Sequence, residues 1–520
     1  VTTTDSTRPR LPMRLLLGSL QVIERVGNKL PHPFWLFTIM AGIVIALSAL
    51  LNAMGVSAVS PVDGERIAVR SLLSPEGVQT IVGDAIDNFA TFPPLAIIIV
   101  VMLGVSVAER SGLLNAMLRG SVTRVPARWL TFAVALTGIT GSVASDAAYV
   151  VLIPLGALLF KAAGRSPVLG LVVAFGSVSA GYNASLLITP TDALLAALST
   201  EAASIIDPGY TVTALDNYFF SVVSAVVLAA LITLVTEFLL SRGSGGLAED
   251  GDGDGEGDRE AQELGSMTLS DAERRGLRDA GLTVLAAVAV LAVALVPPAS
   301  PLRGEDGTVL GSPIITGVAY VLGVLFLLAG VVYGRATGTV ASARDVPEAM
   351  TAGVRDLAPV VVLFFAASQF LAYFRWTGIG EIVAIRGAAL LDSAGVHPLV
   401  LFLGMIVFSS LLNLLITSGS AQWTLIAPVF VPMFMLLDVP PETTQAVYRI
   451  ADSSTNVISP MSPYFVMALG FLQRYRRDAG IGTLISLTLP LCLTVLVGWT
   501  LLFLGWWALD IPLGPGVPVR

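Results

Sequence analysis

The stretch YRIADSSTNVISPMSP (Tyr448–Pro463) places an arginine, an aspartate, an asparagine and two prolines inside one apolar run, 443–470. A second stretch, GSVSAGYNASLLITPTD (Gly176–Asp192), places an asparagine, a proline and an aspartate inside the run 168–198. A helix that only faces lipid has no use for Ser, Asn, Asp and Pro at this density. Proline deletes a backbone donor and frees a carbonyl, and an ionisable group at mid-membrane costs a few kcal/mol, on the order of 3 on insertion scales. Non-helical backbone at that depth is tolerated only where protein encloses it or where it lines a cavity. Both runs therefore predict broken spans around an enclosed site.

The rest of the chain fits a bilayer. Of 520 residues, 55% are hydrophobic and 13% charged, with mean hydropathy +0.82. A soluble domain carries about 25% charged residues, so a water-facing surface cannot be built. Further apolar runs lie near 33–54, 93–109, 212–241, 279–297, 312–334, 357–374 and 481–508, which with the two broken runs predicts an all-α polytopic protein of about nine transmembrane helices. Basic residues set orientation. Arg8, Arg10, Arg14, Arg25 and Lys29 put the N-terminus in the cytoplasm, together with the loops 110–128 and 242–278, while 55–92 and 298–311 suit the outside. No small-residue cleavage pattern precedes the first run, so it is expected to stay as a helix. Trp35, Trp129, Trp376, Trp499, Trp506 and Trp507 fall at predicted span ends and read as interfacial anchors. Cys492, the single cysteine, excludes a disulfide framework and a thiolate metal cluster and reads as a small lipid-facing residue.

Two apolar stretches break the alternation. Residues 128–163 begin and end at basic positions, and 398–440 begin and end outside, each with Gly and Ser near its middle (Gly138, Gly141, Ser142, Ser145; Thr417, Ser418, Gly419, Ser420). Two re-entrant hairpins of opposite orientation account for both. A shift of 274 lays Asp146, Tyr149 and Pro154 on Ser420, Trp423 and Pro428; a shift of 273 lays Ser179, Asn183, Thr189 and Pro190 on Asp452, Asn456, Ser462 and Pro463. The broken spans run in opposite directions, which makes this an inverted-topology repeat: a first half 1–241, an acidic cytoplasmic linker 242–278, a connecting span 279–297 and a second half 298–520. Interrupted helices in matching positions mark the midplane binding site of secondary transporters.

Freed carbonyls, amide oxygens and a carboxylate suit a hard cation such as Na⁺. Asn183, Asn413, Asp452 and Asn456 are the candidate cation ligands, and Asp192 joins them as a second carboxylate. Arg449, three residues from Asp452, offers a planar fork to a substrate carboxylate, unless the two simply pair with each other. Trp423 can stack on an aromatic substrate beside Ser420, or pack in the core. The same oxygens serve Na⁺ or H⁺ equally well, and importer and exporter would share them.

With these residues in view, the chain resembles the p-aminobenzoyl-glutamate transporter (AbgT) family. The resemblance rests on ERVGNKLPHPFWLF (Glu24–Phe37), SVASDAAYVVLIPL (Ser142–Leu155), YNASLLITPTD (Tyr182–Asp192), SGSAQWTLIAPVFVPM (Ser418–Met433) and YRIADSSTNVISPMSPYF (Tyr448–Phe465). It covers the whole chain except the loop AEDGDGDGEGDRE (Ala248–Glu260). It implies a homodimer of nine spans and two hairpins per subunit in the bacterial inner membrane, working by alternating access. It implies p-aminobenzoyl-glutamate as substrate, with sulfonamide efflux in some members. The family's site residues match at Asp192, Asn413, Ser420, Trp423, Pro441, Arg449, Asp452 and Pro460.

Other signals are weaker. Asp250, Asp252, Asp254 and Gly255 open like a calcium loop, but Ala261 stands where the closing acid belongs. Ser270 and Glu273 predict a capping box that starts the connector. His32 and His397 are isolated, and neither Lys29 nor Lys161 follows a glycine, so a Walker A loop and ATP-driven transport are excluded. No basic patch suggests nucleic acid, and no cofactor is expected beyond the coupling ion. An intramembrane aspartyl protease using Asp192 and Asp452 is the alternative from another class, although its YD…GxGD signature is missing. An ion channel would have no need of Arg449 and Trp423 at one pocket.

Overall fold

A computed structural model of the chain describes residues 31–61, 64–122, 125–241, 268–304, 307–309 and 311–520. The N-terminal basic cluster, the first half of the Glu24–Phe37 motif and the acidic 248–260 loop lie outside them. The protein is nearly all helical. Among the described residues, seven helices are long and apolar enough to cross a membrane: Pro33–Ala53, Pro93–Arg110, Tyr218–Leu240, Asp271–Ala294, Val318–Thr337, Ala358–Trp376 and Ile481–Ala508.

Two further helices are interrupted. The first runs as Pro167–Ala180 and Pro190–Ala203, the second as Pro441–Asn456 and Pro463–Tyr475. Local chemistry explains each restart. Pro190 and Pro463 occupy the first helical turn, where a missing N–H costs nothing. Thr189 and Ser462 before them are extended (ψ 161° and 130°), the conformation a following proline imposes. Every residue of Pro167–Ala180 is buried, as is every residue of Pro441–Asn456 except Asn456. The helices that lead into both breaks are thus enclosed by protein, as non-helical backbone in a bilayer requires of its surroundings.

Residues 128–163 form two arms, Leu130–Thr140 and Ala147–Ala162, joined by a tip that includes a tight turn at Gly141–Ala144. Residues 398–440 form arms Pro398–Asn413 and Gly419–Met435, with Ser418 capping the second through Ala421 N (3.4 Å). The first hairpin presses directly on the first broken helix. A Cβ on Gly156 would meet the Gly170 carbonyl at 2.8 Å, and one on Gly170 would meet the Gly156 carbonyl at 2.2 Å. Two facing glycines let these helices cross at backbone contact.

Several expectations need correction. The connector helix begins at Asp271, where the predicted Ser270–Glu273 capping box forms with bonds of 2.8 and 3.2 Å, two turns before the apolar run at 279. Residues 212–217 are loop, so that span starts at Tyr218. Trp499 and Trp506 are buried rather than interfacial; Trp499 Nε1 donates to Ser224 Oγ at 2.8 Å. Cys492 is also buried, not lipid-facing. The loops hold structure that hydropathy did not signal: a strand pair Ser57–Val59 and Arg66–Ala68, and helices Pro75–Gly83, Leu113–Val122, Asp345–Asp356 and Ile379–Ser393. His32 and His397 have a local role, each accepting at Nδ1 from the N–H two residues on and capping the helix that follows.

Candidate functional site

The site lies where the two broken helices meet the tip of the second hairpin. Asp192 sits in the first turn of Pro190–Ala203. Its Oδ2 accepts from Thr189 N (2.7 Å) and Thr189 Oγ1 (2.8 Å), while Thr189 Oγ1 accepts in return from Asp192 N (3.2 Å). This capping box fixes the carboxylate and leaves Oδ1 for Arg449 Nη1 at 2.5 Å. Arg449 comes from the other broken helix and also donates to the Asn183 carbonyl at 3.3 Å. Both charged side chains are almost wholly buried, at 3% and 9% exposure. A buried ion pair is held together at a large desolvation cost, so this one ties the two broken helices to each other.

Asp452 does not pair with Arg449, although the two lie three residues apart. Its Oδ2 accepts instead from Asn183 Nδ2 at 2.7 Å, and Ser453 Oγ accepts from Asn183 N at 3.0 Å. Asn413, from the first arm of the second hairpin, donates through Nδ2 to the Asp452 carbonyl (2.6 Å), Thr455 Oγ1 (2.9 Å) and Asn456 Oδ1 (2.9 Å). With both asparagine amides turned to oxygen partners, their carbonyl oxygens must point elsewhere. Asn183 Oδ1, Asn413 Oδ1 and Asp452 Oδ1 are buried with no hydrogen-bond partner among the described residues. The Tyr448 hydroxyl lies beside Asp452, but its proton goes to the Gly419 carbonyl at 2.6 Å. Buried acceptors without a donor are costly, and oxygen-only sets of this kind suit a hard cation.

Gly419 brings the hairpin tip onto this carboxylate. A Cβ there would stand 2.8 Å from Asp452 Oδ2 and 3.0 Å from Oδ1. Gly419→Ala is therefore expected to push the tip away and weaken coupling-ion affinity about tenfold, the equivalent of an overpacking cost of about 1–3 kcal/mol. The half-saturating ion concentration for transport measures it, and an unchanged value would show that the tip does not touch the ion.

The remaining sequence candidates divide. Ser420 lies on the same tip, half-buried, 3.4 Å from Ser418 Oγ. Pro460 is in the 457–462 link of the second broken helix. Trp423 is fully buried: its ring stacks on Tyr448 (4.4 Å between centroids) and its Nε1 donates to Ser199 Oγ at 3.0 Å. Neither face is open to a ligand in this conformation. Trp423→Ala should cost about 3–5 kcal/mol of stability, as other buried aromatic truncations do; an unchanged melting temperature in detergent would refute that packing. Pro441 opens Pro441–Asn456 at its N-terminal end, eight residues and about 12 Å of helix rise from Arg449, and is not brought to the crossing. Residues at the crossing that the sequence reading did not nominate for the site are Thr189, Ser199, Gly419, Tyr448 and Ser453. Only Thr189 carried a legible signal, the Thr-x-x-Asp capping pattern.

The two acids do not form a protease dyad. Asp192 is held by Arg449 and Thr189, and Asp452 by Asn183. Nine predicted spans, two of them broken and buried about an ion pair and unpartnered oxygens, define a polytopic membrane transporter. The match to the AbgT putative transporter family extends over residues 18–520, and the chain belongs to that family. It is 39% identical over 499 residues to the p-aminobenzoyl-glutamate transport protein of Escherichia coli (strain K12), covering 96% of each chain. Among solved structures it is similar to the Alcanivorax borkumensis YdaH transporter, at TM-score 0.86 and 42% identity over 93% of this chain and all of that one. It is similar as well to Neisseria gonorrhoeae MtrF, described as one of a class of antimetabolite efflux pumps, at TM-score 0.90 and 40% identity over 96% of this chain and all of that one. These relatives are transporters and efflux pumps, not enzymes, and the protease alternative has no support among them.

Proposed function

We propose that the chain is an ion-coupled secondary carrier, a homodimer in the bacterial inner membrane with its N-terminus in the cytoplasm. It moves p-aminobenzoyl-glutamate or related aromatic carboxylates and antimetabolites. The observation that carries this is the buried Arg449 guanidinium, held by Asp192 and the Asn183 carbonyl, with Nε unpartnered, beside three acceptor oxygens that have no donor. An arginine fork recognises a carboxylate. Arg449 binds the substrate carboxylate, Asp192 keeps the fork oriented, and Ser420 with the Trp423–Tyr448 stack forms the wall met by the aromatic ring once the hairpin tip moves. Pro460 and Pro441 shape the link and the start of the helix carrying Arg449. Asn183, Asn413, Asp452 and Asn456 take the coupling ion, Na⁺ or H⁺. The substrate class follows the activity named for the Escherichia coli relative, and efflux follows the description of MtrF.

An inverted repeat underlies the arrangement. The shifts that align Tyr149 with Trp423 also align Phe175 with Tyr448, and both pairs are in ring contact, at 6.4 and 4.4 Å. The Thr189–Pro190 and Ser462–Pro463 restarts match in the same way. The test is flux of radiolabelled p-aminobenzoyl-glutamate in proteoliposomes under an imposed Na⁺ gradient, a pH gradient or neither. Accumulation under one gradient is expected. Peptide cleavage without a gradient, or currents far above carrier turnover, would replace the carrier with a protease or a channel.

A further inference from the structure

The N-terminal end of Pro441–Asn456 holds a buried acid that the proposed site does not use. Glu442 is 4% exposed, and no arginine, lysine or histidine among the described residues pairs with it. Both of its carboxylate oxygens face one phenol, Tyr210 Oη, at 3.1 and 3.0 Å. The charge acting on it is a second buried carboxylate, Asp216, whose oxygens accept from Thr213 N (2.7 Å) and Thr213 Oγ1 (2.5 Å). Asn217 Nδ2 donates to the Glu442 carbonyl (3.2 Å) and to Gln445 Oε1 (2.8 Å), which leaves Asn217 Oδ1 and Gln445 Nε2 buried without partners.

The other charges nearby are turned elsewhere. Asp207 lies on the same loop, where its Oδ1 accepts from Gly209 N at 2.9 Å. Glu201 faces Arg375 at 3.4 Å. On the C-terminal tail, Val519 O accepts from Thr443 Oγ1 at 2.8 Å, while Arg520 reaches toward Asp510 and the Trp507 carbonyl. A carboxylate buried near a second acid, with no cation paired to it, is disfavoured from ionising inside a protein. The loop beside the acid reaches the surface: Asp207, Pro208 and Gly209 are exposed, and Tyr210, whose phenol contacts Glu442, is half-buried. Glu442, Gln445, Arg449 and Asp452 follow one another at helical spacing along one face, with Glu442 about 10 Å of helix rise from Arg449.

We infer that Glu442 is a proton-binding site of the transport cycle, distinct from the oxygens around Asp452. In this conformation the carboxyl group keeps its proton in contact with Tyr210. When the carrier turns this end of the helix to water, the O–H bond breaks, the proton passes to water and the carboxylate remains, until it is reprotonated on return. The inference rests on the carrier reading.

The test uses the full chain in proteoliposomes with a pH dye in the lumen, labelled p-aminobenzoyl-glutamate as probe, and Glu442→Gln, which keeps shape and removes titration. The wild-type protein is expected to move protons with the probe, and a gradient of one pH unit to change its accumulation about tenfold per coupled proton. Glu442→Gln is expected to lose both responses while probe exchange at zero gradient stays within about twofold. Wild-type accumulation by the variant under a pH gradient would overturn the inference. Loss of exchange together with the pH response would also overturn it, making Glu442 a structural residue. Wild-type transport driven by Na⁺ alone would overturn the proton site and leave the carrier standing, whereas no probe exchange at all would remove the carrier itself.

Discussion

Arg449→Ala is expected to abolish transport of carboxylate substrates and destabilise the protein at once, and adding Asp192→Asn to Arg449→Gln to restore stability alone. The ion pair joins the two broken helices, and both partners are buried. Removing one leaves an uncompensated charge inside the protein, which costs about 3–5 kcal/mol. In the paired variant neither charge remains. The Asn at the first turn of Pro190–Ala203 still accepts from Thr189 N through its amide oxygen, so the cap and the helix start survive. The substrate carboxylate then has no fork to meet, a loss of about 2–5 kcal/mol or on the order of 30-fold and more in affinity. Arg449→Lys keeps the charge but not the planar geometry and should fall between. Detergent melting curves read stability and proteoliposome flux reads function. Wild-type flux in the paired variant would take substrate recognition away from Arg449.

That pairing illustrates what the sequence could and could not convey. The interruption of both helices was legible because Pro190 and Pro463, each preceded by a hydroxyl residue, are local signals that need no knowledge of the fold. The partner of Arg449 was not. Spacing i, i+3 puts Asp452 on the same helix face, yet Asn183 and Asp192, more than 250 residues away in sequence, take the carboxylate and the guanidinium because the broken helices cross at that depth. Hydropathy failed differently at Trp499. The helix Ile481–Ala508 has 28 residues, about 42 Å of rise against a hydrocarbon core of about 30 Å, so a tryptophan nine residues before its end lies inside the protein and not at the interface. Hydropathy also missed Glu442, which lies just before the apolar run at 443, while the chain folds it into the first turn of a buried helix. The sequence left Trp423 between stacking on a substrate and packing in the core; that Tyr448 and Ser199 occupy its face and its N–H depends on packing that no local pattern encodes.

Asp452→Asn should uncouple the carrier without unfolding it. An Asn at this position can still accept from Asn183 Nδ2 through its amide oxygen, replacing the 2.7 Å bond that Asp452 Oδ2 now makes. Its NH₂ group then lies where Asp452 Oδ1 stands, so a donor replaces one of the three unpartnered acceptors and the negative charge is lost. A unit charge about 4 Å away contributes about 4 kcal/mol at an effective dielectric of 20, on the order of 1,000-fold in ion affinity. Gradient-driven accumulation should therefore collapse to equilibration, while exchange of labelled substrate across the same liposomes persists through the intact Arg449–Asp192 pair. The contrast with Glu442→Gln identifies the ion: if Na⁺ is bound at the crossing and a proton at the helix end, Asp452→Asn loses the Na⁺ response and Glu442→Gln the pH response. Equal loss of exchange and accumulation in Asp452→Asn would mean that its carboxylate supports the fold of the crossing and binds no ion.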